Sequence, residues 1–372
     1  MIKTSQVTLV FQGYVHTDSL GSGVNDGLDL LYNIAKSRES YPDASIIVST
    51  WDNTNFPDNY NTAEKLGIDA LILSPDPGGL PNIKFGYDTP NNVNRQIVTT
   101  KAGLDAVTTE YAIKLRTDSF LTSAELLNTL TDYTDSVVQS RAQSNIQDTE
   151  KNTEIASKKT TEADYSPIVV SSYFSIDPMV YEHMAYHISD WMQFAKTDIL
   201  QKYWSLDLMP IEDATYYERH SHDKDTNQDG YQEGFKYNNQ SNEYTDDTFR
   251  TRLAVEQYIT TTYAKSLGFT VPNTYNEMND QIIDDFKRYV AEHIIIADNE
   301  QIGFELPKYS WVNADDFMAL NCLSHADWYQ LFILHHNIDN PNVALLSQAQ
   351  SRTQQKNSLD ANYNLVSSYP VS

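Results

Sequence analysis

Short apolar runs alternate with amphipathic stretches through the first 120 residues, and no other feature constrains the fold as tightly. Residues 7–11 (VTLVF), 45–50 (SIIVST), 70–74 (ALILS) and 111–115 (YAIKL) have strand length and a mostly apolar character. Between them, residues 25–37 carry Leu28, Leu31, Ile34 and Ala35 at helical spacing, and residues 91–108 carry Val93, Ile97, Leu104 and Val107. Strands joined through helices form βαβ units, so the expected fold class is α/β: a Rossmann-type, mainly parallel sheet flanked by helices. Ligands of such sheets bind beyond the carboxyl ends of the strands. Here those ends are Gln12 and Gly13; Ser49, Thr50 and Trp51; residues 74–76; and residues 116–118.

Beyond residue 118 the pattern loosens. Thr122-Ser-Ala-Glu125 has the spacing of a capping box that opens a helix. Residues 167–174 (PIVVSSYF) read as another strand, and 177–194 as a helix opened by Asp-Pro. Residues 248–267 and 279–291 read as helices, and 315–334 as mixed helical. Two stretches are polar and poor in large apolar residues. The expected organisation is therefore a first half at 1–135, a polar insertion at 136–165, and a second half at 166–270 with its own insertion at 215–248. A helical C-terminal region at 271–350 and a polar tail at 351–372 complete it.

Charge and cysteine count remove several function classes. Lys and Arg total 26 against 51 Asp and Glu, a formal charge of −25. A field of that sign repels nucleic acid and anionic lipid, so no nucleic-acid partner is expected. A single cysteine, Cys322, excludes an internal disulfide and a cysteine-rich zinc site. The apolar run at 7–11 is too short for a signal-peptide core, and no run approaches the ~20 residues of a membrane span. A cytoplasmic protein without a transmembrane segment is expected, at most peripheral to the inner face of the membrane.

The main chemical anomaly is residues 111–118, YAIKLRTD. At period two, Lys114, Arg116 and Asp118 share one face and Ile113 and Leu115 the other. Interior parallel strands are normally apolar on both faces, so these charges must be paired or must face a ligand. A salt-bridged edge strand meets the first condition. An anion site beside a carboxylate able to hold a divalent ion meets the second, and suits departure of a nucleoside diphosphate. Asp118 then stands where an Asp-x-Asp site has its second acid and would ligate Mn²⁺ or Mg²⁺. Arg116 replaces the first acid and takes over part of the ion's electrostatic work.

Other motifs are weaker. Residues 91–96 (NNVNRQ) lie at an expected helix N-terminus, a place that favours anions, with Asn94 and Arg95 as added donors. Asp225, Asn227, Asp229 and Glu233 fall at positions one, three, five and nine of an EF-hand-like loop, with Gly230 at the turn. Lys236 stands where a bidentate Glu belongs, so any Ca²⁺ site is weak, and an acidic surface turn fits equally. His183 and His187 are four apart, without the Glu that would make a zinc-protease helix. No nucleophile elbow, P-loop or dinucleotide fingerprint is present.

Residues 94–98 (NRQIV), Thr100, Ala102-Gly103-Leu104 and residues 114–118 (KLRTD) resemble the WavE family of lipopolysaccharide-synthesis proteins, which look like GT-A glycosyltransferases. Ser49-Thr50-Trp51, Ile188-Ser189-Asp190-Trp191 and Glu256-Gln257-Tyr258 are similar too. The resemblance runs from about residue 5 to about residue 265 and is not clear beyond about 270.

The resemblance implies a GT-A-like fold and transfer of a sugar from a nucleotide-sugar to a surface-polysaccharide acceptor, a glycan or glycolipid. It implies that 1–135 holds the donor and 166–270 the acceptor. Asn94, Arg95, Lys114, Arg116 and Asp118 would line the donor site, with Gln12, Gly13, Ser49, Thr50 and Trp51 at neighbouring strand ends. Asp190 and Glu256 are the candidates for the base that takes the acceptor proton, with Asp190 preferred. The alternatives are a nucleotidyl- or sugar-phosphate transferase and a non-catalytic nucleotide- or glycan-binding protein.

Overall fold

The computed structural model describes residues 1–86, 88–149, 165–180, 183–220, 249–314 and 316–363. Its first half contains β1 (Val7–Gln12), α1 (Leu30–Ser40), β2 (Ser45–Trp51), β3 (Ala70–Ser74), α2 (Val93–Asp105), β4 (Tyr111–Arg116), β5 (Phe120–Leu121) and α3 (Glu125–Thr149). Then come β6 (Ile168–Ser171), β7 (Met192–Lys196), α4 (Thr197–Tyr203), α5 (Val255–Ser266), α6 (Asp280–His293), β8 (Ile294–Ala297), β9 (Phe304–Glu305), α7 (His325–His336) and α8 (Val343–Tyr363).

Seven strands form one sheet in the order β3-β2-β1-β4-β7-β6-β8. Only β7 is antiparallel to its neighbours β4 and β6, which makes the sheet mainly parallel, as expected. The interior strands β1 and β6 and the edge strand β8 are buried along their whole length, as helices on both faces require. Because β7 runs backwards, its first residue pairs with the end of β4, Leu115 opposite Met192. The segment that enters β7 is thereby delivered to the same edge as the carboxyl ends of β1, β2 and β4.

Local chemistry explains where elements start. The Asp29 carboxylate accepts from Leu31 N (3.0 Å), Gly21 N (3.0 Å) and Gly23 N (2.8 Å). It caps α1 and fixes the loop before it, so the helix begins at Leu30 rather than at 25. Ser123, not Thr122, turns its hydroxyl to Glu125 N at the start of α3. Thr122 instead donates to Gly303 O across β5–β9.

Three expectations need correction. Residues 177–194 are not a helix: the described part is a chain of turns that passes into β7. Its backbone bonds go to distant partners, Ile176 N to His187 O and Asp177 N to Asn321 O (both 2.8 Å). Phe174, His183 and Tyr186 take positive φ of 60°, 49° and 63°, which no helix accepts. The C-terminal region is helical as expected, though not without a strand, since it also supplies β8 to the sheet. Nor is 351–372 a plain tail: α8 runs to Tyr363, and its Lys356 reaches Asp177 (2.8 Å) and Asp327 (2.9 Å). The proposed polar insertion at 136–165 begins inside the continuous helix α3. The loop of Asp225, Asn227, Asp229 and Glu233 lies outside the described residues. Among the described residues no helix is long and apolar enough to cross a membrane.

Gly103 lets α2 lie close on the sheet. A Cβ there would meet Val10 Cγ1 at 2.6 Å and Ser49 Cβ at 3.0 Å. Gly→Ala in a helix interior gains about 1 kcal/mol of propensity, whereas overpacking costs about 1–3 kcal/mol, and Val10 is held in a central strand. Gly103→Ala is therefore expected to destabilise the fold in urea unfolding, with a lowered midpoint and unchanged slope.

Candidate active site

The carboxyl edge gathers what the strand ends carry. Gly13 turns away from β1 at φ 118° and donates to Ser49 O (3.1 Å). Gln12 Oε1 accepts from Thr99 of α2 (3.0 Å). Ser49 Oγ is buried without a partner, and Thr50 meets Thr54. Next to them, Thr117 N donates to Gln12 O, and Thr117 Oγ1 donates to Tyr14 O. Gly27, at φ 81°, brings the preceding loop so close to Asp118 that a Cβ would sit 2.9 Å from its carbonyl oxygen.

Arg116 and Asp118 form a bidentate pair, Nε to Oδ1 and Nη2 to Oδ2, both 2.8 Å. Burial works against both charges. The pair overcomes it, leaving Asp118 below the usual carboxylate range and Arg116 firmly protonated. The guanidinium lies 5.5 Å from the Tyr309 ring centroid, and Tyr309 stacks on Trp191 at 4.8 Å. His16, its pKa lowered by burial against the pull of Asp118, stands nearby.

Lys114 does not line a ligand cleft, although it shares a face with Arg116. It is fully buried, donates to the Asp190 carbonyl, and faces the Trp204 ring at 5.1 Å. Burial brings its pKa down to about 8 against the attraction of Asp190, Asp118 and Glu256. One pleat separates the two cations: Lys114 anchors the loop beneath the edge, and Arg116 emerges at it.

The two candidate bases lie within electrostatic range of Arg116, without contacting it. Asp190 is 3% exposed, lies just before β7, and accepts from Gln96 Nε2 of α2 at 2.5 Å. Glu256, in the first turn of α5, has its Oε2 3.3 Å from His187 Nε2. Burial raises the Glu256 pKa; His187 and Arg116 oppose this and Asp190 adds to it. The neighbouring Gln257 holds the same loop through Ala185 O and Tyr275 O (both 2.8 Å).

A second cluster sits at the ends of β2 and β3. Arg95 makes a bidentate pair with Asp76 (2.8 Å twice), which holds Asp76 near a pKa of about 2, and lies 5.5 Å over Trp51. Trp51 Nε1 is buried without a partner. Tyr14 joins the clusters, 5.9 Å from Trp51 and 4.7 Å from His16. Asn94 is not part of either: its amide clamps Met209, accepting from its N (2.7 Å) and donating to its O (3.0 Å). Sequence reasoning missed Gln96, His16, Tyr309 and the facing of His187 on Glu256. Only the placement of Gln96 one turn into α2 carried a local signal.

Both Asp118 oxygens accept from one guanidinium, so a divalent cation there would share this carboxylate with Arg116 and draw its other ligands from a bound phosphate. Among the described residues no group of three or more His, Cys, Asp or Glu gathers as a metal site. His183 and His187 share no helix, and their Nδ1 atoms turn to different backbone carbonyls, Pro178 O and Phe174 O.

The family model described as WavE lipopolysaccharide synthesis matches residues 7–358, well past residue 270, where the sequence resemblance stops being clear. A comparison with curated proteins gives no match. Among solved structures, the crystal structure of S. aureus TarS 1-349 aligns with 100% of this chain and 94% of its own, at 11% identity and a TM-score of 0.30, a likeness too slight to argue from.

The buried ammonium of Lys114 makes stability depend on pH. Between its folded value of about 8 and its ordinary 10.5, the unfolded chain holds this proton and the folded chain does not. Stability should therefore gain from this group as pH rises through that interval. Lys114→Met is expected to abolish the gain, seen as a difference between the two proteins' urea midpoints at pH 7.5 and 10.

Proposed function

This chain belongs to the WavE lipopolysaccharide synthesis family, and we propose that it is a glycosyltransferase moving a sugar from a nucleotide-sugar donor to a surface-polysaccharide acceptor: lipopolysaccharide, capsule or a related glycan. What supports this reading is the arrangement at the carboxyl edge of the sheet: Arg116, held by Asp118, with the carboxyls of Asp190 and Glu256 within electrostatic range. Such an edge offers a fixed cation for a diphosphate and a held acid for a hydroxyl.

In the transfer, an acceptor hydroxyl attacks the anomeric carbon and a new C–O bond forms. The bond from that carbon to the diphosphate breaks, and the hydroxyl proton moves to a carboxylate. Asp190 takes the proton in this reading, since Gln96 holds its Oδ2 and Lys114 its backbone. Arg116 takes the charge that develops on the departing diphosphate, pre-oriented by Asp118. Trp51 and Tyr14 supply ring faces for the base or sugar, beside Arg95. Gln12, Gly13, Ser49 and Thr50 form the floor beneath the donor. The half at 1–135 thus holds the donor and that at 166–270 presents the acceptor, on the cytoplasmic side, where nucleotide-sugars are available. The work that an ion does elsewhere falls to Arg116, so the reaction is metal-independent.

UDP-, GDP-, CMP- and dTDP-sugars, tested by thermal shift in EDTA and in Mn²⁺, should give stabilisation by one nucleotide class, equal in both conditions. Slow donor hydrolysis should accompany it. Arg116→Ala should lose the shift. Asp190→Asn should keep it while donor turnover falls about 10²- to 10⁴-fold. Pyrophosphate release from a nucleoside triphosphate, or stabilisation without any hydrolysis, would replace the transferase reading by nucleotidyl transfer or by simple binding. A shift seen only with Mn²⁺ would return the metal to Asp118.

A further inference from the structure

We propose that His187 and Glu256 share one proton, so that the pair carries no net charge beside Asp190, and that His187 is thereby a positioning residue of the transfer site. The shared proton follows from the geometry alone; its role in transfer rests on the function proposed above.

His187 Nδ1 lies 2.9 Å from Phe174 O. A carbonyl oxygen only accepts, so Nδ1 carries a hydrogen. In a neutral imidazole that leaves a lone pair on Nε2, and Nε2 faces Glu256 Oε2 at 3.3 Å. A carboxylate there would set lone pair against lone pair, with both side chains largely withdrawn from water. A proton on either atom resolves the conflict, as an imidazolium–carboxylate pair or as a neutral acid bonded to a neutral ring. Both forms have the same net charge, and the two titrations belong to the pair.

The surroundings favour keeping that proton. Burial and the Asp190 carboxylate from the loop before β7 oppose an unpartnered charge on Glu256. From β4, Arg116 and the deeper Lys114 act in the opposite sense, as does the N-terminal turn of α5. Asp118 is already spent on Arg116.

The backbone is built to hold this facing. Phe174, which offers the carbonyl, has φ 60°, and Tyr186, just before His187, has φ 63°. Gln257, next to Glu256, is bonded to Ala185 O. Positive φ at residues other than glycine persists only where the surroundings enforce it. Here the enforcing contacts converge on the two sides of one proton.

The consequence is a division of labour between two acids. The charges nearest the pair are Lys114 and Arg116 against Asp118 and Asp190, with Lys308 beyond Asp118, so a neutral pair adds no negative charge to them. Loss of the shared proton would add one negative charge where a diphosphate must bind, on top of the positive charge that Lys114 gives up above about 8. The pair therefore admits the anionic donor, and Asp190 receives the acceptor proton.

Two measurements on the full chain test this. In the ¹⁵N-histidine NMR spectrum, the His187 signal, identified by its loss in His187→Gln, should show Nε2 protonated or hydrogen-bonded at neutral pH. Glu256→Gln should leave Nε2 unprotonated at neutral pH. A bare Nε2 lone pair in the wild type, or an Nε2 proton that persists in Glu256→Gln, overturns the proposal. With the donor class in hand, the wild-type donor KM should rise on the alkaline side. In His187→Gln, whose amide can donate to an ionised Glu256, KM should already be raised on the order of tenfold at neutral pH, and its alkaline rise should be smaller than in the wild type, the remainder being that of Lys114. A fall in kcat at constant KM, with the alkaline limb intact, overturns the role in donor binding. If no donor is turned over, the transferase reading fails, and the NMR measurement still decides the proton.

Discussion

The ammonium of Lys114 governs the arrangement around it. It has no water, and an uncompensated buried charge costs several kcal/mol. It needs an acceptor at close range and negative charge around it, and both come from the segment that enters β7: the carbonyl of Asp190 and the nearby carboxylates. A parallel strand in that place would carry Asp190 to the far end of the sheet. The reversed strand is thus coupled to the buried Lys114, and together they fix where the acidic loop must lie.

From that anchor the edge is assembled by alternation. Successive same-face residues on a strand stand about 7 Å apart, so Arg116 emerges one step beyond Lys114. Asp118 then folds back on Arg116 as the strand ends. The guanidinium lies 5.5 Å from the Tyr309 ring centroid, and Tyr309 stacks on Trp191 of the loop before β7. Each charged group is steadied by a partner from another element, which preserves its direction when a ligand arrives.

Much of this was legible from residue order. The strand runs, the period-two face of Lys114 and Arg116, and the edge that collects Gln12, Ser49 and Arg116 all follow from local pattern. Asp190 and Glu256 came from the family resemblance, and their meeting could not be read from spacing, because it depends on the direction of β7. The helix expected at 177–194 fails for a related reason. Its backbone groups and His187 bond outside the segment, to Asn321, Gln257 and Phe174, and non-local bonds leave no mark on periodicity. Asn94 and Lys114 show the opposite error. Their polarity suggested a ligand, and each is spent on holding a loop.

Lys356 of α8 adds a temporal condition. Asp177 and Asp327 are both nearly buried and find their cation in a residue 179 positions after the first of them. Until the ribosome has released that helix, the turn segment beginning at Asp177 lacks its counter-ion, and a buried carboxylate there is unfavourable. A nascent chain therefore completes its sheet well before it can tension the loop bearing Asp190, so assembly of the site waits until α8 has been made.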